Sequence, residues 1–191
     1  MQKVIVDRKY GKKINGRYHY GDLILEGQVY IVVPLVVDNL IVTGNLVACE
    51  NLIVRKNVDV SGDFIAADVK VQAENISVGG DLHVGNIECL GNLTVLGNIT
   101  AQNIYTHYNL TCHRNITVRG AIEGETVIAA ETLNATSVRA GMIRTSRLSP
   151  LKDLICAHVV TYPPIIVTRE IDVIGGIYPP AEDILTNKRY Y

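Results

Sequence analysis

His107 and His113, six residues apart, are the nearest this 191-residue chain comes to a reactive constellation. A histidine can act as a general base, and three together can hold a zinc ion. His83 and His158 complete the candidate set, and no third histidine stands at a spacing that would close a zinc site around His107 and His113. The four cysteines (Cys49, Cys89, Cys112 and Cys156) contain no CxxC pair, so they are expected to be small apolar residues in a reducing compartment. Asn75-Ile76-Ser77, Asn92-Leu93-Thr94, Asn98-Ile99-Thr100, Asn109-Leu110-Thr111 and Asn115-Ile116-Thr117 match glycosylation sequons, but they recur because a longer phrase recurs. There is no Gly-Lys-Ser/Thr phosphate loop, GxSxG elbow or HExxH helix. The expectation is no catalytic residue, no metal ligand and no cofactor.

The elements that carry these residues are set by that phrase. From about Asn39 to Thr126 the chain repeats Asn-Leu-x-Val-x-Gly about every six residues, grouped in threes with a period of 17 to 18. A fixed long period made of short apolar-x-apolar steps is the mark of a solenoid. Alternate residues of a strand face opposite sides, so each step contributes an inward pair. Three inward columns follow. The first runs Leu40/Val42, Val58/Val60, Ile76/Val78, Leu93/Val95, Leu110/Cys112 and Val127/Ala129. The second is Leu46, Phe64, Leu82, Ile99 and Ile116, each with a smaller partner two residues on. The third is Leu52/Val54, Val69/Val71, Ile87/Cys89, Ile104/Thr106, Ile122/Gly124 and Val138/Ala140. An earlier turn, Leu23/Leu25, Val29/Ile31 and Leu35/Val37, fits less neatly. Asn39, Asn57, Asn75, Asn92 and Asn109 form a corner ladder, because Asn, Asp and Gly tolerate the positive φ that a corner asks for. Asn51, Asp68, Asn86 and Asn103 stand before the third column.

The fold expected is all-β: a single-stranded, three-sided β-solenoid of about seven turns over residues 23–143. Corner spacings that slip to five residues favour the right-handed kind. Composition agrees, since the apolar 48 % is nearly all Val, Ile and Leu, with one Phe and no Trp. Net charge is −1, which gives no bulk attraction to nucleic acid, and no nucleic-acid partner is expected. No stretch of about 18 apolar residues and no signal-peptide core occur, so a cytoplasmic location is expected. Residues 1–22 form a basic N-terminal arm or cap. Lys9, Lys12 and Lys13 there could make a weak contact with an acidic membrane surface. Residues 144–191 form a C-terminal cap or arm. It carries Tyr162-Pro163-Pro164 and Tyr178-Pro179-Pro180, with Tyr162 and Tyr178 as candidate partner contacts.

The runs Val60-Ser61-Gly62-Asp63-Phe64-Ile65-Ala66 and Val95-Leu96-Gly97-Asn98-Ile99-Thr100-Ala101 resemble the Val-x-Gly-Asp-Ile-x-Ala phrase of the bactofilins, bacterial polymer-forming cytoskeletal proteins. The resemblance covers about residues 39–140. It implies a right-handed triangular coil that stacks end to end into homo-oligomers or filaments without nucleotide. The apolar, tyrosine-bearing flanks depart from that family and argue for capped ends. The expected function is a non-enzymatic structural scaffold that self-associates through its solenoid ends. The alternative is a rigid stalk, or an adhesin- or fibre-type β-helix of a surface or viral assembly. A hexapeptide-repeat acyltransferase is a distant third.

Overall fold

The computed structural model describes residues 3–6, 12–14, 17–19, 21–148, 151–162 and 167–178, with side chains described for 21–66, 70–148, 152–161 and 172–175. The strands are β1 (Lys3–Val6), β2 (Lys12–Ile14), β3 (Arg17–His19), β4 (Leu23–Ile31), β5 (Leu35–Val37), β6 (Leu40–Ala48) and β7 (Leu52–Val54). They continue as β8 (Asn57–Val60), β9 (Phe64–Ala73), β10 (Asn75–Val78), β11 (Leu82–Cys89), β12 (Leu93–Val95), β13 (Ile99–Ala101) and β14 (Asn103–Thr106). The rest are β15 (Asn109–Cys112), β16 (Ile116–Val118), β17 (Ala121–Asn134), β18 (Ser137–Leu148), β19 (Leu151–Tyr162) and β20 (Val167–Tyr178). They pair in parallel, turn on turn, as a single-stranded β-solenoid of about eight turns.

The three faces are the three predicted columns. On the first, Leu40, Val58, Ile76, Leu93 and Leu110 stack in register. On the second, Leu46, Phe64, Leu82, Ile99 and Ile116 stack, each at most 1 % exposed. The early turn is regular: Leu23 pairs with Leu40, Val29 with Leu46 and Leu35 with Leu52. Inward side chains from every turn merge into one continuous apolar core. Stacking of like on like leaves no strand face unpacked inside, which is how a chain with one Phe and no Trp fills its interior.

Two expectations need correction. The third column takes Val71 and Ala73, not Val69 and Val71. Leu52 pairs with Val71, and Val71 and Ala73 pair with Ile87 and Cys89. The corner place expected for Asp68 belongs to Lys70, whose backbone N–H donates to Asn51 Oδ1 at 2.9 Å. Apolar alternation in Val69-Lys70-Val71-Gln72-Ala73 fits either register. The longer corner wins because it buries Val71 and Ala73 while Lys70 stays exposed and pairs with Glu88.

The second correction concerns the C-terminal boundary. The coil does not stop at residue 143. β18 pairs with β19 and β19 with β20, so Val127, Ile143, Val159 and Ile177 continue the first face. Turn length varies along the way. The first-face step is 18 residues from Leu40 to Val58, 17 from Leu93 to Leu110, 16 from Val127 to Ile143 and 18 again from Val159 to Ile177. In the 16-residue turns Ala135, Ala140 and Thr145 alternate inward with Leu133, Val138 and Ile143. Thr106 and Thr145 also point inward. Each hydroxyl donates to the carbonyl two residues ahead, Tyr108 at 3.4 Å and Arg147 at 3.1 Å, so a polar group is buried without loss.

At the other end, β1 stacks on the second half of β4 and β3 stacks on β5. Part of the predicted basic arm or cap is therefore a further partial turn. β2 then folds back antiparallel on β3, with Lys13 opposite Tyr18.

The tight fit at the corners explains the glycines. Gly44 has φ of +138°, and a Cβ there would land on the carbonyl oxygen of Gly27 in the turn below. Phe64 is the largest side chain buried in the core, so Phe64→Ala is expected to cost about 3 to 5 kcal/mol through an unfilled cavity. A lowered thermal midpoint checks this, and an unchanged one contradicts the stacking.

Candidate functional site

The corner asparagines and aspartates are spent on holding turns together. Asn39 Nδ2 donates to Asp22 Oδ1 at 2.8 Å and Asn75 Nδ2 to Asn57 Oδ1 at 3.1 Å. Asn57 Nδ2 reaches Asn39 Oδ1 at 3.4 Å, and Asn109 Nδ2 reaches Asn92 Oδ1 at 2.9 Å. Asn92 closes the gap through its backbone N–H, which donates to Asn75 Oδ1 at 3.0 Å. The ladder thus runs unbroken from Asp22 to Asn109. Each side-chain oxygen accepts from the turn above, satisfying groups that a corner would otherwise strip from the strand pairing.

A second ladder precedes the second face, at the Gly44-Asn45, Gly62-Asp63, Gly80-Asp81 and Gly97-Asn98 corners. Asp63 N donates to Asn45 Oδ1, Asp81 N to Asp63 Oδ1 and Asn98 N to Asp81 Oδ1, at 2.9, 2.8 and 2.6 Å. Asn115 and Thr132 extend it. The sequons fall on these ladders. Asn75, Asn98, Asn109 and Asn115 each give their side-chain N–H to the preceding turn, so that nitrogen is not presented for glycosylation.

The histidines are scattered. His107 and His113 sit at different exposed corners, and His107 stacks edge-on against Tyr108 at 4.8 Å. His83 is outward on the second face and His158 is at an exposed corner. Among the described residues, no three His, Cys, Asp or Glu side chains converge as metal ligands. Among the described residues no helix is long and apolar enough to cross a membrane.

A groove of about 160 Å³ opens on the third face between Ile122, Glu123, Ser137, Arg139 and Asp153. Its origin is a break in the third corner ladder. Asn103 Oδ1 accepts from Ala121 N at 2.9 Å, but Ala121 and Ser137, next in line, are too short to continue it. The groove mixes both charge signs and holds no nucleophile–base pair.

Three thiols are buried and one is exposed. Burial pushes the Cys89 and Cys112 thiols up from the usual 9.0, and burial with the nearby Asp172 carboxylate pushes Cys156 up to about 11. Cys89 Sγ lies 3.3 Å from the Glu74 carbonyl and Cys112 Sγ 3.2 Å from the Gly97 carbonyl. These are packing groups, since the thiolate is the reactive form and is suppressed.

Of the proposed contact residues, Lys9 lies outside the described residues, as do Pro163, Pro164, Pro179 and Pro180. Lys12 and Lys13 are on β2, and only its backbone is described. Tyr162 and Tyr178 end β19 and β20, opposite Arg147 and Val160. The arm and the tyrosines are therefore at opposite ends of the coil. No family model, curated protein or solved structure matches the chain.

Three outcomes follow. Asn92→Ala, which removes the acceptor for both Asn109 N and Asn109 Nδ2, is expected to cost about 1 to 2 kcal/mol in chemical denaturation. A thiol reagent at pH 8 should label Cys49 alone in the native protein and all four cysteines after unfolding. Because the Cys156 pKa is raised on folding, its contribution is complete below about 9 and is lost as pH rises towards about 11. The thermal midpoint of Cys156→Ala should therefore fall less than the parent's across that range.

Proposed function

We propose that the protein is a non-enzymatic structural body: a rigid rod of stalk or spacer type that keeps its length and presents its outer faces and ends to partners. The observation that carries this reading is β2. Head-to-tail growth of a parallel coil needs each end to offer strands running in the coil's own direction. On the third face the N-terminal end offers β2 instead, running antiparallel to β3. The opposite end is also irregular. β20 is out of step with β19 at two bulges, between Leu151 and Asp153 and between Cys156 and His158. A bulged or reversed edge is how sheet proteins resist adding further strands. The candidate histidines stand on different corners and faces rather than in one site, and this supports the non-enzymatic reading.

A bactofilin-like scaffold that polymerises through its ends is the second reading. It is favoured by β20, a 12-residue strand that pairs with β19 on one side and with no strand on the other among the described residues. Negative-stain microscopy of purified protein over a range of salt and protein concentrations tests both. Discrete particles of one length are expected. Smooth filaments that lengthen with concentration would overturn the rod reading in favour of the polymer.

A further inference from the structure

The outward column of the first face reads Ile24, Ile41, Asp59, Ser77, Thr94, Thr111, Ile128, Arg144 and Val160, one residue per turn in continuous register. Asp59 and Arg144 are both exposed, and neither has an ion-pair partner among the described residues. Each is bordered along the column by an isoleucine: Ile41 beside Asp59 and Ile128 beside Arg144. An exposed charge that borders an isoleucine near each end of an otherwise uncharged column is a good register mark.

We infer that this face docks against the same face of a second copy, with the rods side by side and antiparallel. The two-fold axis lies along the strand direction, between the turns of Thr94 and Thr111. Strand spacing is constant at about 4.8 Å, so aligning one pair of turns aligns all of them. Asp59 then meets Arg144 of the second copy, Ile41 meets its Val160, Ser77 meets its Ile128, and Thr94 meets its Thr111. Symmetry makes each contact twice, as an isologous interface requires. A shift of the axis by half a turn, onto Thr94, would set Asp59 against Ile128 and Arg144 against Ile41, burying four charges unpaired. The charge pattern therefore selects one register.

Two further features fit a second copy as the occupant. The neighbouring outward row is small away from its centre, at Ser61, Gly79, Ala130 and Ser146, and at its centre the pairing sets the exposed Leu96 of each copy against His113 of the other. The rod is also electrically lopsided. Residues 21–110 carry three basic and ten acidic side chains, net −7, while residues 111–162 carry six basic and four acidic, net +2. Antiparallel pairing sets the acidic half of each copy beside the basic part of the other, whereas parallel pairing would set acid against acid.

Eight turns of contact, about 34 Å long and about 15 Å wide, bury on the order of 1,000 Å² in total, near the lower bound for a specific interface. The dimer is accordingly weak and concentration-dependent, and it loosens with salt. Small-angle scattering and sedimentation from about 5 to 500 μM test it. The expected result is a dimer whose maximum dimension stays close to that of one rod, which separates it from any end-to-end contact. Asp59→Lys should weaken the dimer by about tenfold or more, and Asp59→Lys with Arg144→Glu should restore it. Both positions are exposed, and matching thermal midpoints establish that the variants fold. A monomer at every concentration overturns the inference, as does an elongated dimer, an Asp59→Lys variant that pairs like the parent, or a double variant that is not restored.

Discussion

Each turn of the coil must lie one strand spacing above the last, and at the corners that spacing leaves no room for a Cβ. A methyl group on Gly62, Gly80 or Gly97 would collide with a corner side-chain oxygen of the turn before, that of Asn45, Asp63 or Asp81 respectively. The glycine makes the space and the asparagine or aspartate uses it, by accepting a hydrogen bond from the next turn. Flat faces, stacked core and shared register all follow from corners that allow this approach. Where the polar ladder lapses, at Ala121 and Ser137, the surface opens into a shallow groove.

The constraint also decides which polar groups are free. The asparagines, aspartates and threonines of the corners are committed to neighbouring turns, so what remains for outside partners is largely the middle residue of each step. Those positions are unconstrained by the core and vary in character. They are apolar at Ile24 and Ile41, hydroxylated at Ser77, Thr94 and Thr111, and basic at Arg144. A molecule of this kind carries its recognition as a row of single residues on a flat surface, rather than as a pocket.

Much of this was legible in the sequence because the inward pairs and the corner asparagines obey one period. The second-face stack and the Asn39-to-Asn109 ladder came directly from it. Two things did not. Around Val69 the alternation is satisfied by two registers, and only the pairing with Leu52 and Ile87 chooses between them. Beyond Ala129 the corner markers disappear while the strands persist. Thr145 and Thr161 point inward there, and a buried threonine looks in sequence like an exposed one. The outward column on the first face has no recurring residue type at all, so its order becomes visible only when the turns are laid above one another. The candidate histidines were legible as isolated, and they stay apart in three dimensions.

The uneven lacing of the coil has a mechanical side. Every turn touches little beyond the turns directly above and below, so the rod behaves under tension as links in series, each failing on its own. The turns near Phe64 bury large side chains and carry two polar ladders. The turns after Ala129 bury leucine, isoleucine and valine beside alanine, threonine and cysteine, but their corners lack the asparagine ladders. Pulled at its ends, such a rod unravels from the C-terminal side and pays out chain one turn at a time, while the asparagine-laced segment keeps its shape.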